Sequence, residues 1–151
     1  MLSGVRLARA YLPGMLARNW GRILFISSES GLQIPVEMVH YGTTTTAQLA
    51  VARGLAEATR GTAVTVNAIL PGPTRSEGVA EFVAGLAAQQ RKSAEEVERD
   101  FFQVARPTSL LQRFETPDEI AALVAFVASP RASGVNGAAL RVDGGVVRAI
   151  P

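Results

Sequence analysis

Two hydroxyl side chains, Ser28 and Tyr41, stand thirteen residues apart in a stretch rich in small polar residues, Ser27-Ser28-Glu29-Ser30-Gly31 running on to His40-Tyr41-Gly42 and Thr43 to Thr46. Hydroxyls of this kind can donate, accept and, for a phenol, transfer a proton. By themselves the two residues read equally as a loop serine and a surface tyrosine. The other chemistries open to the chain are narrower. With no cysteine and one histidine, thiolate catalysis is excluded and a histidine metal site has little to draw on. A serine hydrolase built on Ser28 and His40 lacks the Gly-x-Ser-x-Gly elbow that would present its nucleophile.

The elements that must position these hydroxyls are legible in the hydrophobic pattern. Residues 2–18 carry Val5, Ala8, Leu12, Met15 and Leu16 at helical spacing, with Pro13 expected to kink the helix. Arg22 to Ile26 is a nearly continuous apolar run, which suits a strand buried on both faces and ends just before Ser27 and Ser28. A helix over about 39–58 is rich in Ala, Thr and Gly, and its four threonines weaken it unless packing compensates. Residues 62–70 read as a second strand closed by the turn-forming Pro71-Gly72-Pro73-Thr74. Residues 77–105 are helical in character, with a capping box at Ser93 to Glu96. Thr116-Pro117-Asp118-Glu119 starts another helix, stopped at Ser129-Pro130, and residues 138–142 form a third strand before Asp143-Gly144-Gly145.

Strands alternating with helices predict an α/β fold, a doubly wound parallel sheet in one domain over 1–151. Ligands of such sheets bind beyond the carboxyl ends of the strands, where Ser28 and Pro71-Gly72 both fall. The apolar fraction is 48%, charged residues make up 19%, and the net charge is +2, the balance of a folded domain. Its arginines form no stripe interleaved with aromatics, so no nucleic-acid partner is expected. No apolar run approaches the roughly 20 residues of a membrane span, and the start has no signal-peptide pattern. A cytoplasmic location is the resulting expectation.

Taken together, Ile26-Ser27-Ser28, Tyr41, Asn67-Ala68-Ile69-Leu70-Pro71-Gly72-Pro73-Thr74 and Val142-Asp143-Gly144-Gly145 resemble the short-chain dehydrogenases/reductases over essentially the whole chain. The resemblance implies a partial Rossmann-like sheet consisting of the last three strands and their helices. It implies an oxidoreductase acting on a small-molecule carbonyl/alcohol pair with NAD or NADP. Ser28 would hydrogen-bond the substrate oxygen and Tyr41 would exchange a proton with it. Pro71, Gly72, Thr74 and Ser76 would approach the nicotinamide. Residues 77–105 would form a substrate lid. Its Phe82, Val83, Leu86, Phe101, Phe102 and Val104 would be either an apolar substrate wall or ordinary core. Helices 2–18 and 39–58 resemble the family's main subunit interface and imply a homo-oligomer.

Two departures from the family pattern bear on activity. The position four residues after the tyrosine, a lysine in the family, is Thr45, and the only lysine of the chain is Lys92. The glycine-rich phosphate turn, carried by the family in an N-terminal half, is absent from these 151 residues. The expectation is an oxidoreductase impaired or inactive as this chain, the alternative being a non-catalytic remnant that serves as an interaction module.

Overall fold

The computed structural model describes residues 1–150. Three strands form one parallel sheet in the order β1-β2-β3: β1 Gly21–Ile26, β2 Val64–Pro71 and β3 Ala139–Val142. Helix α1 (Leu2–Ala17) precedes β1, and α2 (Val39–Glu57) carries the crossover to β2. Helices α3 (Glu77–Gln90), α4 (Ala94–Val104) and α5 (Pro117–Ala128) lie between β2 and β3. β1 therefore forms one edge of the sheet among the described residues and β3 the other.

Register and alternation divide the sheet into two faces. Val66, Ala68 and Leu70 of β2 join Ile23 and Phe25 of β1 against Ala8 of α1 and Leu49, Ala52 and Ala56 of α2. The alternate residues of β2, including Thr65, Asn67 and Ile69, point to the opposite face, where α5 packs against β1 and β3. All of β2 from Val64 to Leu70 is buried, as a central parallel strand requires. The edge strand is less enclosed than its apolar run predicted, and Ile26 is exposed at its end.

Asn67 and Asn136 join the strands through their amides. Asn67 Oδ1 accepts from the Ala138 N–H at 3.0 Å while its Nδ2 donates to the Val135 carbonyl at 2.9 Å. Asn136 Oδ1 accepts from the Val66 N–H at 2.8 Å, and its Nδ2 donates to Thr59 Oγ1 at 2.9 Å. A fully buried asparagine is thereby satisfied by backbone on both sides.

Local chemistry sets the ends of the elements. Both capping boxes read from the sequence are formed, at Ser93 with Glu96 and at Thr116 with Glu119, and Pro117 occupies the first turn of α5. α1 ends at Ala17 and continues through Pro13. β2 starts two residues later than the pattern predicted, because Thr62 Oγ1 donates to the Thr59 carbonyl and closes a turn there. It also continues through Pro71, which pairs with Val142. The helical segment 77–105 is two helices, the second starting at the Ser93 cap that the sequence marks. Arg91 ends α3 in a left-handed conformation, φ 55°, from which Ser93 caps α4.

Candidate active site

Ser28 lies two residues past the end of β1, where its extended backbone (φ −165°, ψ 157°) caps the single turn Glu29–Gly31. The Ser30 N–H donates to Ser28 Oγ at 3.1 Å and to Glu29 Oε2 at 2.9 Å. The Ser28 hydroxyl itself donates to Glu29 Oε2. The oxygen is thus held in place by backbone while its proton, on a free rotor, can turn toward another acceptor. Glu29 is also buried, at 5% exposure, and is matched by Arg106, whose Nε donates to Glu29 Oε1 at 3.2 Å from the segment after α4. Arg106 also approaches Glu37 at 3.9 Å. A charge buried at this depth is stable only with such a partner.

Tyr41 stands in the first turn of α2 and is exposed, at 38% of the residue's surface. The threonines that follow turn their hydroxyls back into the helix. Thr43 donates to the Val39 carbonyl at 2.8 Å, Thr44 to the Tyr41 carbonyl at 2.9 Å, and Thr45 to the Tyr41 and Gly42 carbonyls at 3.0 Å each. Thr46 donates to the Gly42 carbonyl at 2.8 Å and to the Gly31 carbonyl at 2.9 Å. Such back-bonding absorbs the hydroxyls that would otherwise oppose the helix, and Thr46 ties α2 to the turn carrying Ser28. The approach is close: a side chain at Gly31 would meet Leu49 and the Thr45–Thr46 backbone at 3.2–3.3 Å. Thr45 is 5% exposed and its hydroxyl is spent on its own helix.

Beyond β2, the loop Gly72-Pro73-Thr74 is held from beneath by a backbone carbonyl and one carboxylate. Gly72 N–H donates to the Val142 carbonyl at 2.9 Å and to Glu115 Oε2 at 3.2 Å. A side chain at Gly72 would come within 2.7 Å of the Asp143 backbone, so only glycine permits this packing. Asp143 folds the terminal turn, accepting from Gly145 N–H at 3.2 Å and Val147 N–H at 3.0 Å. Glu115 is 3% exposed, and its pKa is pushed up to about 7 by burial, with Glu119 and Asp143 adding to the rise and the Gly72 and Gly144 N–H groups opposing it.

These parts surround one open cavity of about 780 Å³ at the carboxyl edge of the sheet. Ser28, Tyr41, Gly72 and Thr74 all line it; Pro71 and Ser76 do not. Pro71 remains in β2, and Ser76 is exposed and caps α3, accepting from the Val79 N–H. Of the lid residues read as wall or core, Phe82, Val83, Leu86, Phe101 and Val104 line the cavity. Phe102 is instead buried in a cluster with Val97, Phe114 and Ala87. Val83 does both, lining the cavity while buried in that same cluster.

The charged lining residues, Glu29, Lys92, Asp100 and Arg106, were not singled out as site residues by the sequence reading. Glu29 had a signal, an acid directly behind the strand-end serine, whereas Arg106 is 77 positions away and only the fold brings it there. Lys92 reaches the cavity from the α3–α4 turn, but its Nζ donates to Asp100 Oδ2 at 2.6 Å. The exposed His40 is not among the lining residues.

The donor set suits the nicotinamide end of a dinucleotide: a glycine-proline-threonine loop beside two hydroxyls, at the strand edge where such ligands bind. Thr45 does not suit the ribose, since its hydroxyl faces inward. Among the described residues no group of acids or histidines is arranged to hold a metal ion. No helix there is long and apolar enough to cross a membrane.

Comparison with known proteins agrees with this geometry. The chain belongs to the short-chain dehydrogenase/reductase family; the family model described as enoyl-(acyl carrier protein) reductase matches residues 1–147. It is 47% identical over 150 residues to YvrD of Bacillus subtilis (strain 168), described as an uncharacterized oxidoreductase, covering 99% of this chain and 57% of that protein. D-beta-hydroxybutyrate dehydrogenase of Cupriavidus necator is 32% identical over 147 residues, covering 97% and 56%. Among solved structures, L-sorbose reductase of Gluconobacter frateurii, complexed with NADPH and L-sorbose, superposes with a TM-score of 0.90 at 28% identity, covering 99% of this chain and 56% of that one. The chain spans just over half the length of the relatives it matches. The three-strand parallel sheet with its flanking helices matches the Rossmann-like fold of this family, as the resemblance implied.

Proposed function

We propose that this chain carries the substrate side of an NAD(P)-dependent oxidoreductase acting on a carbonyl/alcohol pair. The observation that carries the reading is the placement of Ser28 and Tyr41 on one cavity with the Gly72-Pro73-Thr74 loop. A carbonyl oxygen between the two hydroxyls would receive a hydrogen bond from Ser28, whose proton turns from Glu29 to the substrate. The Tyr41 phenol would deliver the proton that completes the alcohol, or remove it in the reverse direction. The Ser30 N–H, which donates to Ser28 Oγ, keeps that oxygen in place during the exchange, while Arg106 keeps Glu29 matched. The nicotinamide, when bound, supplies or accepts the hydride, and Gly72, Pro73 and Thr74 are the residues that would hold that end of the cofactor.

Thr45 places no charge near the phenol. Donating its proton leaves the phenol as a phenolate, and no cation at position 45 stabilises it. The reading is therefore of a weak catalyst. NADPH consumption with 2-octanone at millimolar cofactor is expected to be slow in the wild-type chain, faster in Thr45→Lys, and abolished in Tyr41→Phe. A rate indifferent to Tyr41→Phe, or no turnover in any variant, would contradict it. NAD and NADP are distinguished by the same assay.

The chain is also proposed to pair with a second copy. Val5, Leu12 and Leu16 of α1 and Val51 and Leu55 of α2 line an apolar groove of about 370 Å³ on the helix-covered face, a surface suited to a like surface. A cytoplasmic setting fits the absence of a membrane-crossing helix in the described residues.

A further inference from the structure

Helices α3 and α4 line one side of the cavity with a largely apolar wall. Val79, Phe82, Val83 and Leu86 come from α3, and Phe101 and Val104 from α4. Ser28, Tyr41 and Thr74 belong to the strand-end loops and the start of α2, while Gln90 at the end of α3, Lys92 in the turn and Asp100 of α4 are the polar lining residues on the helical side. Phe82 is 65% exposed and Val104 82%, although both line the cavity, so much of the wall is apolar surface that solvent touches and a ligand could cover.

Charge narrows the occupant further. The two cations in the lining are both matched by acids, Arg106 by Glu29 and Glu37, and Lys92 by Asp100 at 2.6 Å. A carboxylate or phosphate on the substrate would meet no free cation and would lose its hydration without compensation. A sugar-like body would need a hydrogen-bonding partner for each hydroxyl, and the six wall residues offer no polar side-chain atom. At about 780 Å³ the space is of the size that holds a small organic ligand.

We propose that the cavity selects neutral, apolar ketones and secondary alcohols, with the oxygen at Ser28 and Tyr41 and the hydrocarbon along α3 and α4, and discriminates against substrates with an anionic or polyhydroxyl body. This rests on the oxidoreductase reading for the orientation of the oxygen. The selectivity follows from the wall and the paired charges.

Calorimetric titration of the whole chain with 2-octanone, 3-oxooctanoate and L-sorbose tests it without turnover. The expected order is 2-octanone at least about tenfold tighter than 3-oxooctanoate, with no detectable binding of L-sorbose. Phe82→Asp and Val104→Asp change exposed positions, so circular dichroism should show the fold retained while 2-octanone affinity falls at least about fivefold. Equal or tighter binding of the anion, binding of 2-octanone unaffected by either substitution, or no binding of 2-octanone would overturn the proposal. Turnover indifferent to Tyr41→Phe would instead sink the oxidoreductase reading, while a preserved order of affinities would still support the selectivity.

Discussion

Removing the guanidinium of Arg106 leaves Glu29 as a buried carboxylate beside Ser28, with its nearest cation gone. Arg106 and Glu29 side chains are 13% and 6% exposed, so solvent screens the loss little. Arg106→Met is expected to lower the stability of the fold by about 3 kcal/mol, read from the shift of the urea unfolding midpoint. The double variant Arg106→Met with Glu29→Gln should recover part of that loss, because the uncompensated charge is gone. Equal losses in the single and double variants would show that the pair matters for packing alone. Which residues were visible in the sequence follows from chain distance. Ser28 and Tyr41 could be found because the motifs that resemble the family surround them along the chain, whereas alone they read as a loop serine and a surface tyrosine. Arg106 could not, because nothing local marks an arginine that meets its partner across 77 positions.

At the scale of the element, the loop after β2 depends on Glu115, which accepts from the Gly72 N–H beneath it. Its pKa, raised from 4.5 to about 7, means that the folded state holds the proton more tightly than the unfolded chain. The destabilisation from its ionisation is absent below pH 4.5, grows as pH rises through that window, and is complete above about 7. Glu115→Gln keeps an acceptor for Gly72 and cannot ionise. It is expected to raise the melting temperature at pH 8 and to raise it less at pH 5; an equal change at both would contradict the assignment. Element ends were legible where they obey local chemistry, as at Ser93 and Thr116, whose caps form as their sequences dictate. The threonine run was legible only as a cost. That its hydroxyls would turn inward, and that Thr46 would reach Gly31, depends on how closely α2 approaches the turn after β1.

For the whole molecule, sheet and layers followed from the alternation of elements, since parallel neighbours need crossovers and crossovers need helices. The division of α3 and α4 between cavity lining and core did not follow. Phe101 and Phe102 are adjacent, yet one lines the cavity and the other is 1% exposed, a choice made by the packing of α4 on α3 and Phe114. The groove between α1 and α2 predicts self-association, so Val5→Glu, a change at an exposed position, should move the sedimenting species toward monomer. A wild-type chain that already sediments as a folded monomer would refute that pairing. The central claim is that the cavity at the sheet edge receives a substrate oxygen between Ser28 and Tyr41. Carbon-13 spectra of 2-octanone labelled at the carbonyl test it directly, because hydrogen bonding draws electron density from that carbon. Binding should move the carbonyl resonance downfield, and Ser28→Ala and Tyr41→Phe should each reduce the movement. A bound ketone whose carbonyl resonates as in water, or moves equally in both variants and the wild-type chain, would contradict it.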